Sequence, residues 1–376
     1  MNNNDKYDLA YVTIDSLSEG VGSSQITPLM SRLSKSGMKI NLISYEKSTP
    51  ETQLQNYFIS LGIVWSPQPF GTTGTLGGIN RLNNLRHKIP RTNLIHARSE
   101  IPAVSAITSH QAPALWDVRS LWADQKILIQ ENLLNHALYK SYRKLETIAA
   151  NKSSGMSTLT SAVIPILEER NGRLPLLRAV VPTAVDLDRF QLISNMPKVL
   201  RALFSGTYND YYDLKLSSLF MEELRGQIRV ETHWARPLES NKSRIGVGEE
   251  EVLFVAQTEM ANLIPTYSFG VSICKLDAGP SLTAAMPTKI GEFLACGRPI
   301  VINKGLGDMD EFIAESKVGV TLNGDPGNAR DAATELIELV SDPETPFRCR
   351  AIAEKYFSMD NGVEKYLDLY ARMLTN

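Results

Sequence analysis

The segment Met286-Pro287-Thr288-Lys289-Ile290-Gly291-Glu292-Phe293-Leu294-Ala295-Cys296-Gly297-Arg298-Pro299-Ile300-Val301 carries the densest chemical information in the chain. Pro287 precedes a helix expected to open near Thr288, Gly297 ends it, and an apolar strand follows at once. Unpaired amides at such a helix start favour anions, and Lys289 adds positive charge, so a diphosphate could be held there. Glu292 lies one turn further in, where its carboxylate could accept hydrogen bonds from a ribose diol. Read without context, the same residues are also a surface glutamate beside a lysine.

A second candidate is the loop Ser18-Glu19-Gly20-Val21-Gly22-Ser23-Ser24-Gln25, whose glycines Gly20 and Gly22 precede a helix. Backbone can approach a ligand closely at glycine, although a strand-to-helix turn carries glycine for its own reasons. The dinucleotide-binding fingerprint is excluded, because its third glycine is missing. His96, Arg98 and Arg119 follow strand ends, where ligands of parallel sheets bind. The arginines are candidate phosphate or acceptor contacts or else ion-pair partners, and a lone histidine there is more often structural than catalytic. Asp117 and Asp124 are the carboxylates nearby, either able to orient Arg119. No Asp, His or Cys cluster has metal-ligand spacing, and Asp186-Leu187-Asp188 falls in linker-like sequence, so neither a metal nor a cofactor is expected.

These residues need a scaffold of strands. Apolar runs at 8–14, 38–44, 62–65, 93–97, 114–118, 156–159 and 179–181 read as strands buried on both faces, alternating with helical patterns. An irregular stretch at 181–199, with Pro182 and Pro197, reads as a linker. Alternation resumes with strands at 201–205, 228–233, 251–256, 270–274, 299–303 and 319–322. Residues 348–374 read as a helical tail broken near 358–362, with Tyr366, Leu369, Tyr370 and Met373 on one apolar face. The expected architecture is α/β, with two Rossmann-like doubly wound domains facing a cleft. The expected bounds are 1–190 and 191–350, with a tail at 351–376 packing back on the first domain.

Composition agrees with a globular enzyme-sized chain. Its 376 residues suit two domains, with 43% hydrophobic and 21% charged residues. A formal net charge of −2 gives no general attraction to nucleic acid. Cys274, Cys296 and Cys349 are too few and too scattered for a disulfide framework, which points to a reducing compartment. No apolar run reaches membrane-spanning length and the polar segment 1–8 is unlike a secretory signal, so a cytoplasmic location is expected. Two basic stretches, Arg81, Arg86, His87, Lys88 and Arg91, and Lys140, Arg143 and Lys144, are either solvated faces or contacts for anionic lipid at the inner membrane face.

The Met286 to Val301 segment resembles the signature helix of the large retaining GT-B glycosyltransferase family, group 1 or family 4. That family often places two glutamates eight positions apart before a Gly-x-Pro strand. Glu292 matches the second, which the resemblance makes a ribose ligand; Ala284 stands where the first belongs, so Asp277, Ser281 or backbone would have to meet the donor sugar instead. Val181-Pro182-Thr183-Ala184-Val185-Asp186-Leu187-Asp188-Arg189-Phe190 is similar to the family's inter-domain phrase. Asn93-Leu94-Ile95-His96-Ala97-Arg98-Ser99 is similar to a strand end that carries a histidine near the reaction centre, and Trp116-Asp117-Val118-Arg119-Ser120-Leu121-Trp122-Ala123-Asp124 to a phrase found in a subset. Phe204-Ser205-Gly206-Thr207 resembles the opening of the second domain, with Thr207 replacing an arginine and Lys215 a candidate phosphate lysine.

The resemblance implies sugar transfer from a nucleotide-sugar donor to a glycan or lipid-linked acceptor, with retention of configuration and without a metal. It suggests a setting in bacterial surface polysaccharide assembly. Catalytic candidates are then His96, Arg98 and Arg119; donor-binding candidates are Gly20, Gly22, Gly206, Lys215, Pro287, Thr288, Lys289 and Glu292, with Arg298 a further candidate cation. Ala284 and Thr207 keep a second reading open, a non-catalytic nucleotide-sugar or glycan-binding protein, and a third is a nucleotide-sugar epimerase on the same fold.

Overall fold

The computed structural model describes residues 6–129, 133–207, 211–238 and 251–375, so most of the polar start of the chain, residues 1–5, lies outside them. The apolar runs of the first half become β1 (Tyr7–Val12), β2 (Ile40–Glu46), β3 (Val64–Pro69), β4 (Thr92–Arg98), β5 (Ala114–Val118), β6 (Gly155–Thr158) and β7 (Leu177–Val180). They form one parallel sheet in the order β3-β2-β1-β4-β5-β6-β7. β2 is buried at every position, as expected of a strand covered on both faces. The third strand runs past the expected 62–65 through Pro67 and Pro69, which is tolerated because β3 is an edge strand.

The second half supplies β8 (Arg201–Ser205), β9 (Glu231–Arg236), β10 (Glu251–Phe254), β11 (Phe269–Ser272), β12 (Ile300–Asn303) and β13 (Gly319–Leu322). Their parallel order is β10-β9-β8-β11-β12-β13. β9 begins three residues later than the expected 228, because Gln227 and Ile228 both donate to the Leu224 carbonyl and end the preceding helix. Phe204, Phe220, Trp234, Phe269, Val271 and Leu336 belong to the core on one side of this sheet.

Two compact units result. One comprises residues 1–124, 132–181 and 362–376, the other residues 125–131 and 182–361. In each, the strand order reverses beside the first strand, between β1 and β4 and between β8 and β11. Ligands of open parallel sheets bind at the carboxyl ends of the strands flanking such a reversal.

The final helix, Met359–Thr375, follows a π-helical turn at Ala353–Phe357. Tyr366, Leu369, Tyr370 and Met373 are all buried. A Cβ on Gly155 would come within 2.5 Å of the Met373 sulfur, so the tail lies directly on β6 of the first unit. The three thiols are free and buried. No helix among the described residues is long and apolar enough to cross a membrane.

Candidate functional site

In the first unit the side chains at the strand ends converge on Asp117, the fourth residue of β5. His96, Arg98 and Asp117 lie on adjacent strands, with Arg98 in register with Asp117. Asp117 Oδ2 is 3.3 Å from His96 Nε2 and 3.7 Å from Arg98, while Oδ1 is 3.5 Å from Arg119. Oδ1 also accepts from Ser157 at 2.9 Å and from the Tyr366 hydroxyl at 3.2 Å. Burial alone would raise this carboxyl, but Arg119, the His96 contact and Arg98 outweigh it and hold the group well below the usual range.

His96 is fully buried, and its Nδ1 lies 2.6 Å from the Tyr370 hydroxyl. Burial lowers its pKa against the opposing pull of Asp117, which favours the neutral ring. The ring has no exposed surface: Nδ1 meets the Tyr370 hydroxyl, while Nε2 faces Asp117 Oδ2 without forming a hydrogen bond. The arginines are also engaged. Arg98 donates to Asp15 at 2.8 Å as well as facing Asp117, and Arg119 donates to the Tyr366 hydroxyl at 3.4 Å. Asp124 belongs elsewhere, in a bidentate pair with Arg170 at 2.7 and 2.8 Å, which leaves Asp117 to orient Arg119.

The glycine loop after β1 is fastened by a residue that the sequence did not single out. Buried Glu46, at the end of β2, accepts from Leu17 N at 3.0 Å and from the hydroxyls of Ser16 and Ser44 at 2.6 Å and Ser18 at 3.1 Å. A Cβ at Gly22 would lie 1.9 Å from the Ser16 carbonyl, so this glycine closes the loop on itself. Gly20, at φ +53°, faces open space and is the one of the pair around which a ligand has room.

The second unit gathers its candidates more tightly. The helix Thr288–Ala295 starts directly after Pro287, whose φ of −61° and ψ of 128° turn the chain into it. Gly297, at φ 77°, follows its end. Phe293 packs flat on β11, where a Cβ at Gly270 would come within 2.3 Å of the ring, so this helix lies closer to the sheet than any larger residue would permit. That packing brings Lys289 to the carboxyl end of β8. Its Nζ donates to the Ser205 carbonyl and to the Tyr212 hydroxyl, the latter at 3.0 Å, and stands 4.3 Å from the centre of the Tyr212 ring. A Cβ on Gly206, at φ +100°, would be 3.6 Å from the same Nζ. Gly206 and Lys289, separated in sequence, are thus neighbours, and among the described residues the polar partners of this ammonium are neutral oxygens.

Glu292 is 6% exposed and accepts from the Gln257 amide at 3.3 Å. Burial pushes its carboxyl up to about 7, against the lowering pull of Arg189, Lys289 and Gln257. Arg189 donates to the Gln257 carbonyl, so one side chain steadies both. Neither Gln257 nor Arg189 was singled out beside Glu292 from the sequence; folding brings the 3-10 turn Gln257–Glu259 against the helix that carries Glu292.

Three expectations change. Lys215 is exposed in the first turn of the helix Leu214–Arg225 and makes no hydrogen bond to the Lys289 cluster among the described residues. Arg298 is fully buried and donates to the carbonyls of Ile193, Asn195 and Pro265 at 2.9, 3.0 and 2.8 Å, which makes it a clamp on the linker and not an anion ligand. Arg81 leaves the basic stretch for the interior, donating to Phe70 and Thr72 carbonyls at 2.9 Å, whereas Arg86, His87, Lys88 and Arg91 are exposed. In the other stretch Arg143 pairs with Glu146 at 2.8 Å. Ala284 is buried at the end of the short helix Pro280–Thr283. No group of three His, Cys, Asp or Glu among the described residues could hold a metal ion.

No protein-family model matches the sequence, and no curated protein matches it. Solved structures do match across nearly the whole chain. Sucrose-phosphate synthase from Thermosynechococcus elongatus has a TM-score of 0.72 at 11% identity, covering 98% of this chain and 100% of that one. Alr3699/HepE from Anabaena, solved with UDP and glucose, has a TM-score of 0.64 at 12% identity, covering 97% and 100%. WaaG, a glycosyltransferase involved in lipopolysaccharide biosynthesis, has a TM-score of 0.62 at 12% identity, covering 95% and 98%. At such identities the likeness concerns architecture: the two parallel sheets with their flanking helices have the GT-B fold of these glycosyltransferases.

Proposed function

We propose that this chain is a glycosyltransferase that takes a sugar from a nucleotide-sugar donor held by the second unit and passes it to an acceptor bound by the first. The observation that carries this reading is the helix start at Thr288, where Lys289, whose polar partners among the described residues are neutral oxygens, stands one turn before the buried carboxyl of Glu292. A cation and helix amides can neutralise a leaving diphosphate, and an ionised carboxylate can accept from a ribose diol. Gly206 keeps side-chain bulk away from the ammonium. The fold neighbour solved with UDP and glucose supports this choice of ligand class.

The reaction we infer proceeds with retention of configuration and without a metal ion, the diphosphate charge being met by Lys289 and the amides of Thr288 and Lys289. The acceptor is a glycan or a lipid-linked glycan of surface polysaccharide assembly, a setting supported by the likeness to WaaG. Contact with anionic membrane through the exposed Arg86, Lys88 and Arg91 fits such an acceptor. A second reading is favoured by one observation: buried Ala284 offers no carboxylate to the donor sugar, as would suit a non-catalytic nucleotide-sugar-binding protein.

Product analysis after incubation with a panel of nucleotide sugars and glycan acceptors separates these. A new glycoside is the expected result. An isomerised donor would make the protein an epimerase, and saturable donor binding without turnover across the panel would favour the non-catalytic reading.

A further inference from the structure

We propose that Tyr212 is a positioning residue that aims the Lys289 ammonium at the donor diphosphate; this rests on the reading of Lys289 as a diphosphate ligand. The tyrosine meets the ammonium twice, through its hydroxyl at 3.0 Å and through its ring face at 4.3 Å from the centroid. An ammonium has three N–H donors. Two go to the Tyr212 hydroxyl and the Ser205 carbonyl, which fixes the direction of the third. Both acceptors are uncharged, so they orient the group without cancelling the charge that an anion would meet. A carboxylate in the place of the phenol would orient equally well and neutralise it.

Tyr212 can act this way because its backbone is fastened on both sides. Residues 211–213 run antiparallel to the segment that follows β11, with a bridge between Tyr212 and Cys274. Asp213 N donates to the Ile273 carbonyl at 3.1 Å, and Lys275 N to that of Tyr211 at 2.9 Å. The Tyr211 hydroxyl reaches the Ser281 carbonyl at 3.0 Å, and the Asp213 carboxylate caps the next helix at Leu216 N, 2.9 Å away. The ring therefore stands on a short strap laced to the loop that carries Asp277, Gly279 and Ser281.

Inorganic pyrophosphate is the probe, since it reports on the diphosphate contact whatever the nucleotide base. Isothermal titration compares wild type with Lys289→Ala, Tyr212→Phe and Tyr212→Ala, with melting temperatures alongside. Tyr212→Phe keeps the ring and should weaken pyrophosphate about 3- to 10-fold, the scale of one neutral hydrogen bond, at an unchanged melting temperature. Tyr212→Ala should weaken it further, so that the phenylalanine variant counts as partial rescue. Should Tyr212→Ala fail to fold, Tyr212→Phe alone decides. If Lys289→Ala loses pyrophosphate but Tyr212→Phe binds it as wild type does, or more tightly, the positioning role is refuted while the diphosphate reading stands. If wild type does not bind pyrophosphate, or Lys289→Ala binds it as well as wild type, the diphosphate reading itself falls.

Discussion

Replacing Glu292 tests the donor site through both affinity and protons. In the free protein burial sets this carboxyl at about 7, so half of the molecules carry it neutral near that pH. A ribose diol donates two hydrogen bonds, which only the ionised form accepts without competition from its own proton. Binding should therefore release a proton below pH 7, and nucleotide affinity should rise with pH, approaching tenfold per unit well below 7 and levelling above it. Glu292→Ala should cost about 1.5 to 3 kcal/mol of nucleoside diphosphate affinity at pH 8, the range for hydrogen bonds to a charged group. Glu292→Gln should recover part of that loss and show no pH dependence between 6 and 8. Stability runs the opposite way. With its folded pKa above the unfolded 4.5, the wild-type group stabilises the fold fully below 4.5 and loses that contribution as pH rises to about 7, so Glu292→Gln should melt no lower than wild type at pH 8. Titration at pH 6, 7 and 8 in buffers of different ionisation enthalpy measures affinity and proton release together. Wild-type affinity in Glu292→Ala, or the same pH profile in Glu292→Gln, would refute the assignment.

Other expectations are more compact. Lys289→Ala should narrow the affinity gap between nucleoside diphosphate and nucleoside while leaving nucleoside binding alone, measured by the same titration; an unchanged gap would remove phosphate from its role. Transfer activity should survive exhaustive chelation, and a loss restored by one divalent ion would contradict the metal-free mechanism. Glu100 is 2% exposed, and burial, with Glu146 and Asp124 nearby, pushes it up to about 8. Its contribution to stability is present below pH 4.5 and lost as pH rises towards 8, so Glu100→Gln should gain on wild type across that window by up to about 1.4 kcal/mol per pH unit. Urea denaturation at pH 5 and pH 8.5 checks this, and an equal difference at both would show that Glu100 ionises normally.

Fold class was legible because buried parallel strands write themselves as apolar runs, and each of those runs overlaps a strand, although some bounds differ. The differences in bounds have local causes. Pro67 and Pro69 stop a sequence reader but not an edge strand, and Ile228 looks like the start of a strand while its amide finishes a helix turn. Side-chain roles were less legible because they depend on partners distant in sequence. Tyr370 and His96 are 274 positions apart, and the spacing that marked Tyr366 and Tyr370 as an apolar face said nothing of their hydroxyls. Tyr212 and Gln257 lie outside any motif; only folding shows that one meets Lys289 and the other Glu292.

Charge accounting then separates the two strand-end clusters that the sequence had treated alike. In the first unit two guanidiniums, Arg98 and Arg119, face two carboxylates, Asp117 and Asp15, and tyrosine hydroxyls and a neutral histidine complete the network. Around the buried Asp117 such a balanced set is costly to disturb, because removing one arginine leaves a charge without its counterpart. An incoming phosphate would have to compete with Asp117 and Asp15 for Arg98 and with Asp117 for Arg119. In the second unit Lys289 leans on a carbonyl, a phenol and a ring face, so among the described residues an anion displaces no ion-pair partner to reach it. On the proposed reading, the same position at a strand-order reversal would hold an ion-pair network in one sheet and an anion in the other. The difference lies in what each cation already holds, and for that reason we propose Lys289, in place of Arg98 or Arg119, as the contact to the donor diphosphate.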